Sequence, residues 1–257
     1  MSSADFDLAR LRQTGLVTRV EYRARVSSTN DLARELALAE PRLAGLLVVA
    51  DEQTAGRGRG SNRWWTGPGS LAFSLLLDPA TTGVERRYLA MIALAAAVAI
   101  VETVEPEIEG ERVGLHWPND VYVGRRKLAG ILVEGLPDGR HIVGIGLNVN
   151  NSLADAPAEL QALVATLGSL AGKTFDRGEL LSQLLSALGD ILRTLALAPH
   201  ELGRRSDALC LQHGKRLTIQ CGAEQTTGDC AGIAHDGALL LDTPSGRQAF
   251  YSGVLVR

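Results

Sequence analysis

The chain has 257 residues, a mass of 27.3 kDa and a formal net charge of −3 at pH 7. With 46% hydrophobic and 21% charged residues, it has the composition of a globular protein with room for one large and one small domain. The slightly acidic balance argues against a dedicated nucleic-acid-binding protein, because that class usually carries a strongly basic face.

Neither a secretory signal nor a membrane span is predicted. Residues 1–7 are acidic and lack the basic flank and the apolar stretch of a signal peptide. The longest apolar run, residues 89–101, is shorter than the roughly 18 residues that a membrane span needs, so we expect a buried core helix. The expected location is the cytoplasm, with no membrane partner and no nucleic-acid partner.

The cysteine content also favours the cytoplasm. Cys210, Cys221 and Cys230 are an odd number in a cysteine-poor chain, which favours a reducing compartment over a disulfide framework. A zinc site built on Cys210 and His213 is the alternative, but no second pair at close spacing follows them. We therefore expect buried thiols.

After residues 1–17, which are too few for an independent domain, a strand is predicted over residues 18–26, where charged and apolar residues alternate. Ser28, Thr29 and Asn30 then precede a helix predicted over residues 31–39. The free N–H groups and hydroxyls at this helix start suit a carboxylate or a carbonyl, and ordinary helix capping is the alternative.

The middle of the chain predicts one sheet with helices packed against it. Apolar segments between turn residues predict strands at residues 45–50, 70–77, 115–117, 121–123, 128–134 and 141–147. Helices are predicted over residues 85–105 and 177–198. The later strands are short and close together, as in an antiparallel meander, so the fold class is α+β rather than alternating βαβ units.

The composition changes after about residue 200. Four short apolar runs separated by turn residues predict a small β-barrel, and they lie at residues 216–220, 228–234, 238–241 and 248–256. The predicted domains are therefore residues 1–200, a catalytic core, and residues 205–257, a C-terminal barrel.

A glycine- and arginine-rich segment directly follows the predicted strand at residues 45–50. Its glycines can adopt conformations closed to other residues, its arginines are forked donors for phosphate or carboxylate, and a tryptophan at its end can cover a planar ring. The segment contains Gly56, Arg57, Gly58, Arg59, Gly60, Arg63, Trp64 and Trp65. It predicts an anion-binding loop, and a solvated glycine hinge is the alternative.

Three further motifs favour an anion-binding loop over a solvated glycine hinge. Asn119 and Asp120 lie between two predicted strands, and Lys127 begins an almost wholly apolar strand, where it can place a compact charge in a dry pocket. The segment 144–150 offers close-approach glycines and amides, including Asn148, that can read the edge of a base. Each motif has an alternative interpretation. Asn119 and Asp120 could simply form a turn, and Lys127 could extend to water. The glycine pair at 144 and 146 is not followed by the helix that a dinucleotide site requires.

Taken together, these motifs resemble those of biotin–protein ligases over residues 20–257. The resemblance implies a core like that of class II aminoacyl-tRNA synthetases, with a mixed or antiparallel sheet, followed by an SH3-like barrel. It also implies that biotin is activated with ATP and Mg²⁺ to biotinyl-5'-AMP and then transferred to a lysine of a biotin carboxyl carrier protein.

The resemblance assigns roles to individual residues. The implied biotin-binding residues are Ser28, Thr29, Asn30, Gln53, Gly56, Arg57, Gly58, Arg59, Lys127 and Gly130. The implied nucleotide-binding residues are Arg57, Arg59, Trp64, Asn119, Lys127 and Asn148. The implied catalytic residues are Lys127, Arg57, Arg59 and Asp120. No fixed metal site is implied, because Mg²⁺ arrives with ATP.

Several expectations accompany the resemblance. The loop departs from the family pattern, since Gly60-Ser61-Asn62 precedes Arg63 where relatives often have further arginine. We expect a short ligase without a regulatory winged helix, and a possible homodimer joined through exposed strands near Val143. The alternatives are a lipoate–protein ligase and a non-catalytic sensor of biotin or a nucleotide.

Overall fold

In the computed structural model of the chain, residues 8–256 are described, so the acidic segment 1–7 lies outside the described residues. The first half of the chain forms α1 Leu8–Gln13, β1 Arg19–Val26, α2 Thr29–Ala39, β2 Leu46–Gln53, β3 Leu71–Leu77, α3 Pro79–Thr82, α4 Ile92–Val104, β4 Val113–His116 and β5 Asp120–Val123. The second half forms β6 Arg126–Gly135, β7 His141–Leu147, α5 Ala158–Gln161, α6 Leu167–Ala171, α7 Arg177–Leu197, α8 Pro199–Ala208, β8 Arg216–Cys221, β9 Glu224–Ile233, β10 Leu239–Thr243, β11 Gly246–Phe250 and β12 Val254–Val256.

Seven strands form one mixed sheet in the order β1-β2-β3-β7-β6-β5-β4. β1 is parallel to β2, and every other pair is antiparallel, which confirms the predicted meander from β4 to β7. The expectation that strands near Val143 are exposed is wrong, because β7 pairs with β3 on one side and with β6 on the other. The outer strands of this sheet are β1 and β4, and β4 is already paired on its outer side, where Leu115 makes backbone hydrogen bonds to Leu209 and Leu211.

The two faces of the sheet pack against different hydrophobic cores. Side chains alternate between faces along each strand. Phe73, Val143 and Ile145 face the main core with α4 and α7, whereas Leu76 and Ile142 face α2 and form a second, smaller core. The face toward α2 continues into the candidate site, so a large apolar core supports the site from below.

The two long helices are core helices. The predicted helix 85–105 is α4 with a 3₁₀ turn on each side, Arg86–Met91 and Glu105–Glu107, and it is apolar all round because it is buried all round. By length and composition alone, Arg86–Glu107 and Arg177–Leu197 would pass for membrane spans. They pack against each other inside the protein, with 61% and 56% of their most apolar windows buried.

The last segment forms a five-stranded antiparallel sheet, which we call the C-terminal β domain (residues 213–256). The predicted strand 248–256 is two strands, β11 and β12, separated by a turn at Gly253. The α+β class with a small C-terminal β domain is therefore confirmed. Helix α8 runs across residues 200–205, so the position of the domain boundary stays a prediction.

The C-terminal β domain shares its core with the large sheet. Ile233 and Leu239 belong to the same buried cluster as α4. Trp117 ties the two parts together, because its indole N–H donates to Gly237 O at 3.1 Å and its backbone N–H donates to Gln212 at 2.7 Å. A rigid junction thus brings the domain close to the loops at the site.

Candidate active site

Three glycines form a part of the sheet that has no side chains of its own, which we call the glycine floor (Gly130, Gly144 and Gly146), and the side chains of Trp64 and Asn30 cover it. Gly130 on β6 pairs with Gly146 on β7. A Cβ at Gly146 would lie 2.2 Å from Trp64, and one at Gly144 would lie 2.1 Å from the Asn30 side chain. Only glycine lets side chains from other segments lie directly on these strands.

Buried polar side chains cluster at the end of the floor next to α2. Ser74 Oγ lies 2.6 Å from Asn30 Oδ1 and 2.8 Å from Thr29 Oγ1. The Thr29 backbone N–H donates to Gln53 Oε1 at 2.8 Å, and Gln53 Nε2 donates to Thr66 Oγ1 at 3.1 Å. The structure thus brings Thr29, Asn30 and Gln53 together in a network of hydrogen bonds between protein atoms, and their predicted contact with biotin stays a prediction.

Ser28 occupies the N-cap position of α2 but does not cap it. Its side chain makes no hydrogen bond to the helix, although the residue is only 2% exposed. The alternative of ordinary capping is therefore not what the structure contains. The predicted contact of Ser28 with biotin stays a prediction.

The glycine- and arginine-rich segment forms a hairpin, which we call the arginine loop (residues 56–64). The Trp64 N–H donates to Gly56 O at 2.9 Å, and the Gly58 N–H donates to Asn62 O at 2.8 Å. Gly60 lies at the tip with a φ of 61°, which favours glycine. The residues that depart from the family pattern therefore form the turn of a regular hairpin.

Arg57 points from this loop toward carboxylates. Its guanidinium donates to both oxygens of Glu134, at 3.1 and 2.6 Å, and lies 2.7 Å from Asp31. Burial raises the pKa of Glu134, but the hydrogen bonds from Asn30 and Arg57 outweigh burial and hold that pKa below its usual value. Two anions therefore offset the charge of Arg57, and its predicted part in catalysis stays a prediction.

Arg59 and Lys127 lie at the opposite end of the floor. Arg59 donates to Asn119 Oδ1 at 3.4 Å and to Gly253 O at 3.1 Å, and it has no carboxylate partner among residues 8–256. Lys127 Nζ lies 2.8 Å from Asp120 Oδ2 and packs against Gly130. Two adjacent residues of the chain, Asn119 and Asp120, therefore hold these two cations.

The two ends of the site are separated by the length of a small ligand. Lys127 lies next to Gly130, and Glu134, which holds Arg57, is four residues further along β6. At ~3.3 Å per residue that is roughly 13 Å. The floor thus has polar groups and paired charges near one end, and near the other it has two cations, Arg59 and Lys127, against the single carboxylate of Asp120.

Two buried polar atoms in the site have no protein partner. They are Trp64 Nε1 and Asp120 Oδ1. Trp64 lies on Gly146, with Lys127 Nζ 5.6 Å from the centre of its ring. Four further buried polar atoms of the described residues, among them His141 Nδ1 and Ser206 Oγ, are also unpaired, so it is the position of Trp64 Nε1 and Asp120 Oδ1 beside Lys127 that makes them candidates for contact with a ligand.

Asn148 follows β7 and lies just beyond the floor. It is 2% exposed, and its Oδ1 accepts a hydrogen bond from Asn151 Nδ2 at 3.2 Å. An open depression of about 470 Å³ lies near its partner Asn151 and is lined by Asn150, Asn151, Ser152, Leu153, Thr166, Gly168, Ser169, Gly172, Lys173 and Thr174. The predicted contact of Asn148 with adenine stays a prediction.

Sequence reasoning missed three groups that complete the site. Ser74 was a detectable signal, being one hydroxyl in an otherwise apolar strand, and so was Glu134, a carboxylate at the end of another. The carbonyl of Gly253, which comes from the C-terminal β domain, left no signal in the sequence. Pairing across so many residues depends on the whole fold.

The cysteines form no candidate metal site. Cys210 and Cys230 are buried and Cys221 is exposed, and the ring of His213 bonds to Asp207 at 2.8 Å. In the part of the chain that the structure describes, no three metal-ligating side chains come together.

Comparison with known proteins gives consistent matches. Residues 22–150 match the profile of the biotin/lipoate A/B protein ligase family, and residues 213–255 match the biotin protein ligase C-terminal domain. The chain is 35% identical over 239 residues to a bifunctional ligase/repressor of Bacillus subtilis, covering 90% of this chain and 71% of the relative. It is 30% identical over 222 residues to a biotin–[acetyl-CoA-carboxylase] ligase of Mycobacterium tuberculosis, covering 85% and 81%.

A solved structure has the same fold. A biotin protein ligase from Aquifex aeolicus, in complex with biotin and ATP, superposes with a TM-score of 0.80 and 31% identity. The similarity covers 93% of this chain and 98% of the other.

Proposed function

The chain belongs to the biotin protein ligases of the biotin/lipoate A/B protein ligase family, and from that premise we propose how its site activates biotin. The enzyme is an ATP-dependent ligase that acts on biotin, and the lipoate alternative finds no support among relatives whose names specify biotin. The observation that supports the proposal best is the glycine floor, which joins an end with buried hydroxyl and amide groups to an end with two cations and one carboxylate.

Biotin has a polar bicyclic ring at one end and a carboxylate at the other, and the site has the same order. We assign the ring to Ser28, Thr29, Asn30 and Gln53, where uncharged donors and acceptors are buried. We assign the carboxylate to Lys127, at the other end of the floor. Trp64 would then line the site along the aliphatic chain of biotin, which joins the ring to the carboxylate.

The first chemical step joins two anions. A carboxylate oxygen of biotin attacks the α-phosphorus of ATP, the bond to the β-phosphate oxygen breaks, and pyrophosphate leaves. Arg59 and Lys127 offset the repulsion in the transition state, where a well-placed donor contributes on the order of 3 kcal/mol. Arg59 suits this role because only neutral oxygens hold it.

The residues at this end also fit a magnesium ion that arrives with ATP. Asp120 Oδ1 is a buried carboxylate oxygen without a partner, and Mg²⁺ prefers such oxygen ligands. When bound, the ion supplies further positive charge at the phosphates.

The second step transfers biotin to a protein. The amine of a lysine attacks the acyl carbon of biotinyl-5'-AMP, AMP leaves, and Asp120 is placed to take up the amine proton. We propose a biotin carboxyl carrier protein as the acceptor, because relatives are named for acetyl-CoA carboxylase. A cytoplasmic location, a homodimer and the absence of nucleic-acid and membrane partners stay predictions.

Pyrophosphate release tests the proposal. Purified protein with ATP should release pyrophosphate when biotin is added, and neither lipoic acid nor buffer should replace biotin. A folded sample that binds biotin but releases no pyrophosphate would contradict the proposal and favour the sensor.

A further inference from the structure

Glu134 is placed to do more than hold Arg57. It lies at the end of β6 with only 19% of its side chain exposed. Its Oε2 accepts a hydrogen bond from Asn30 Nδ2 at 2.7 Å, and its Oε1 lies 3.1 Å from Arg34. One carboxylate therefore contacts the polar end of the floor, the arginine loop and helix α2.

The contacts of Asn30 fix which way its amide faces. Its Nδ2 has two N–H groups, and these donate to Glu134 and to Leu132 O, the latter at 3.4 Å. Its Oδ1 lies next to Ser74 and Gly144. A carboxylate only accepts hydrogen bonds, so a flipped amide would place its oxygen against another acceptor.

The fixed amide determines what Asn30 can recognise. Both of its donors are used by protein atoms, so the remaining capacity is a lone pair on Oδ1 above the glycine floor. That lone pair accepts a hydrogen bond from a ligand and cannot donate one. The cyclic urea of biotin carries two N–H donors, which suit such an acceptor.

We propose that Glu134 is a positioning residue that turns the oxygen of Asn30 toward the floor and so makes the site select the urea N–H groups of biotin. The inference rests on the proposed function, because it assumes that the ring lies at this end of the floor. Glu134 acts through Asn30 and does not touch the ligand.

Glu134→Gln tests the proposal with the smallest change of shape. Glutamine can turn its own N–H groups toward Asn30, so only the long contact of Asn30 Nδ2 with Leu132 O, at 3.4 Å, is left to oppose a flip of the amide. Asp31→Asn is the matched control, because it removes the other carboxylate on Arg57 and leaves Asn30 untouched. The ligands are biotin and two carbamate analogues, each with one urea N–H replaced by a ring oxygen.

Calorimetry then gives the preference for biotin over each analogue. The wild-type protein should reject at least one analogue by about 10-fold or more, since that analogue leaves a buried acceptor unpaired. Glu134→Gln should lower this preference several-fold, and Asp31→Asn should keep it. An unchanged preference in a folded Glu134→Gln variant that binds biotin would overturn the inference and leave the proposed function intact.

Ser74→Ala gives a second readout if Glu134→Gln fails to fold. It removes the hydroxyl beside Asn30 Oδ1 but leaves Glu134 in place. The preference should survive, because Glu134 still orients the amide. Loss of the preference in this variant would mean that Ser74 sets the orientation, and the inference would be wrong. Failure of the wild-type protein to bind biotin would instead refute the proposed function.

Discussion

Single residues of the site differ in how far their charge is offset, and this decides their chemistry. Arg57 faces two carboxylates, Lys127 faces one, and Arg59 is held by neutral oxygens. The sequence treats the two arginines alike, because both lie in the same short segment. Only the folded chain shows that Glu134 and Asp31 are close to one of them.

Lys127→Ala should leave the fold intact and slow the formation of the adenylate. Removing one donor at the reacting carboxylate costs on the order of 3 kcal/mol, which is roughly 10²-fold or more in rate. Single-turnover measurement of biotinyl-5'-AMP checks this. Lys215→Ala, which changes a lysine of the C-terminal β domain, is the control, and a near-normal rate for Lys127→Ala would remove Lys127 from its assigned role.

Gly146→Ala should destabilise the protein and weaken biotin binding. The added methyl group would lie 2.2 Å from Trp64, and overpacking of this kind costs about 1–3 kcal/mol. Urea denaturation measures the free energy of unfolding.

The control for this change is the same substitution in α7. Gly189→Ala meets only ordinary contacts, at 3.4 Å or more, so it should stabilise the helix by ~0.5–1 kcal/mol. If both substitutions change stability alike, the close approach at the floor is not what requires glycine at 146.

At the scale of elements, the sequence predicted most strands of the sheet, but it did not predict the glycine floor on one face of the sheet. Strands β3 and β7 are short apolar runs between turn residues and helix α7 is a long amphipathic segment, and all three fold within a few residues of their predicted bounds. Helix α8 was missed because it is mostly polar and contains Gly203, whose close approach to His235 requires glycine. The glycine floor needs the pairing of β6 with β7, which no local pattern encodes.

The junction of α2, β6 and the arginine loop should depend on pH through Glu134. The pKa of this carboxyl lies below its ordinary value of 4.5, because hydrogen bonds from Asn30 and Arg57 and the charges of Arg57 and Arg34 outweigh burial. Its contribution to stability is therefore present above pH ~4.5 and is lost as the pH falls through the lowered pKa.

Unfolding free energies between pH ~3 and ~6 check this dependence. The wild-type protein should lose stability on acidification more steeply than Glu134→Gln, because the variant has no carboxyl to protonate. Equal slopes for the two proteins would show that the contacts of Glu134 do not stabilise the folded state.

At the scale of the whole molecule, the C-terminal β domain contributes to the site through one carbonyl. Gly253 O accepts a hydrogen bond from Arg59, and a Cβ at Gly253 would lie 2.6 Å from Ile219. The turn at Gly253 is therefore fixed against its own domain and holds Arg59 in place.

Gly253→Ala should displace this turn and speed the release of the adenylate, with little change in biotin affinity. A hydrogen bond from a charged donor contributes about 1.5–3 kcal/mol, so we expect an effect of roughly 10-fold or more. Release of biotinyl-5'-AMP without an acceptor protein is the measurement. Gly246→Ala is the control: φ is positive at both positions, 109° at Gly246 and 150° at Gly253, but a Cβ at Gly246 would have no neighbour within 4 Å, so this variant should not change release. Equal release rates for both variants would show that the hydrogen bond between Arg59 and Gly253 O does not slow the release of the adenylate.

The most direct test of the whole account is a crystal structure of the protein with biotin bound. We expect the urea ring over Gly144 beside Asn30, and a carboxylate oxygen within about 3 Å of Lys127 Nζ. Biotin bound in the opposite direction, or bound in the depression beside Asn151 without contact to Asn30 and Lys127, would contradict the account.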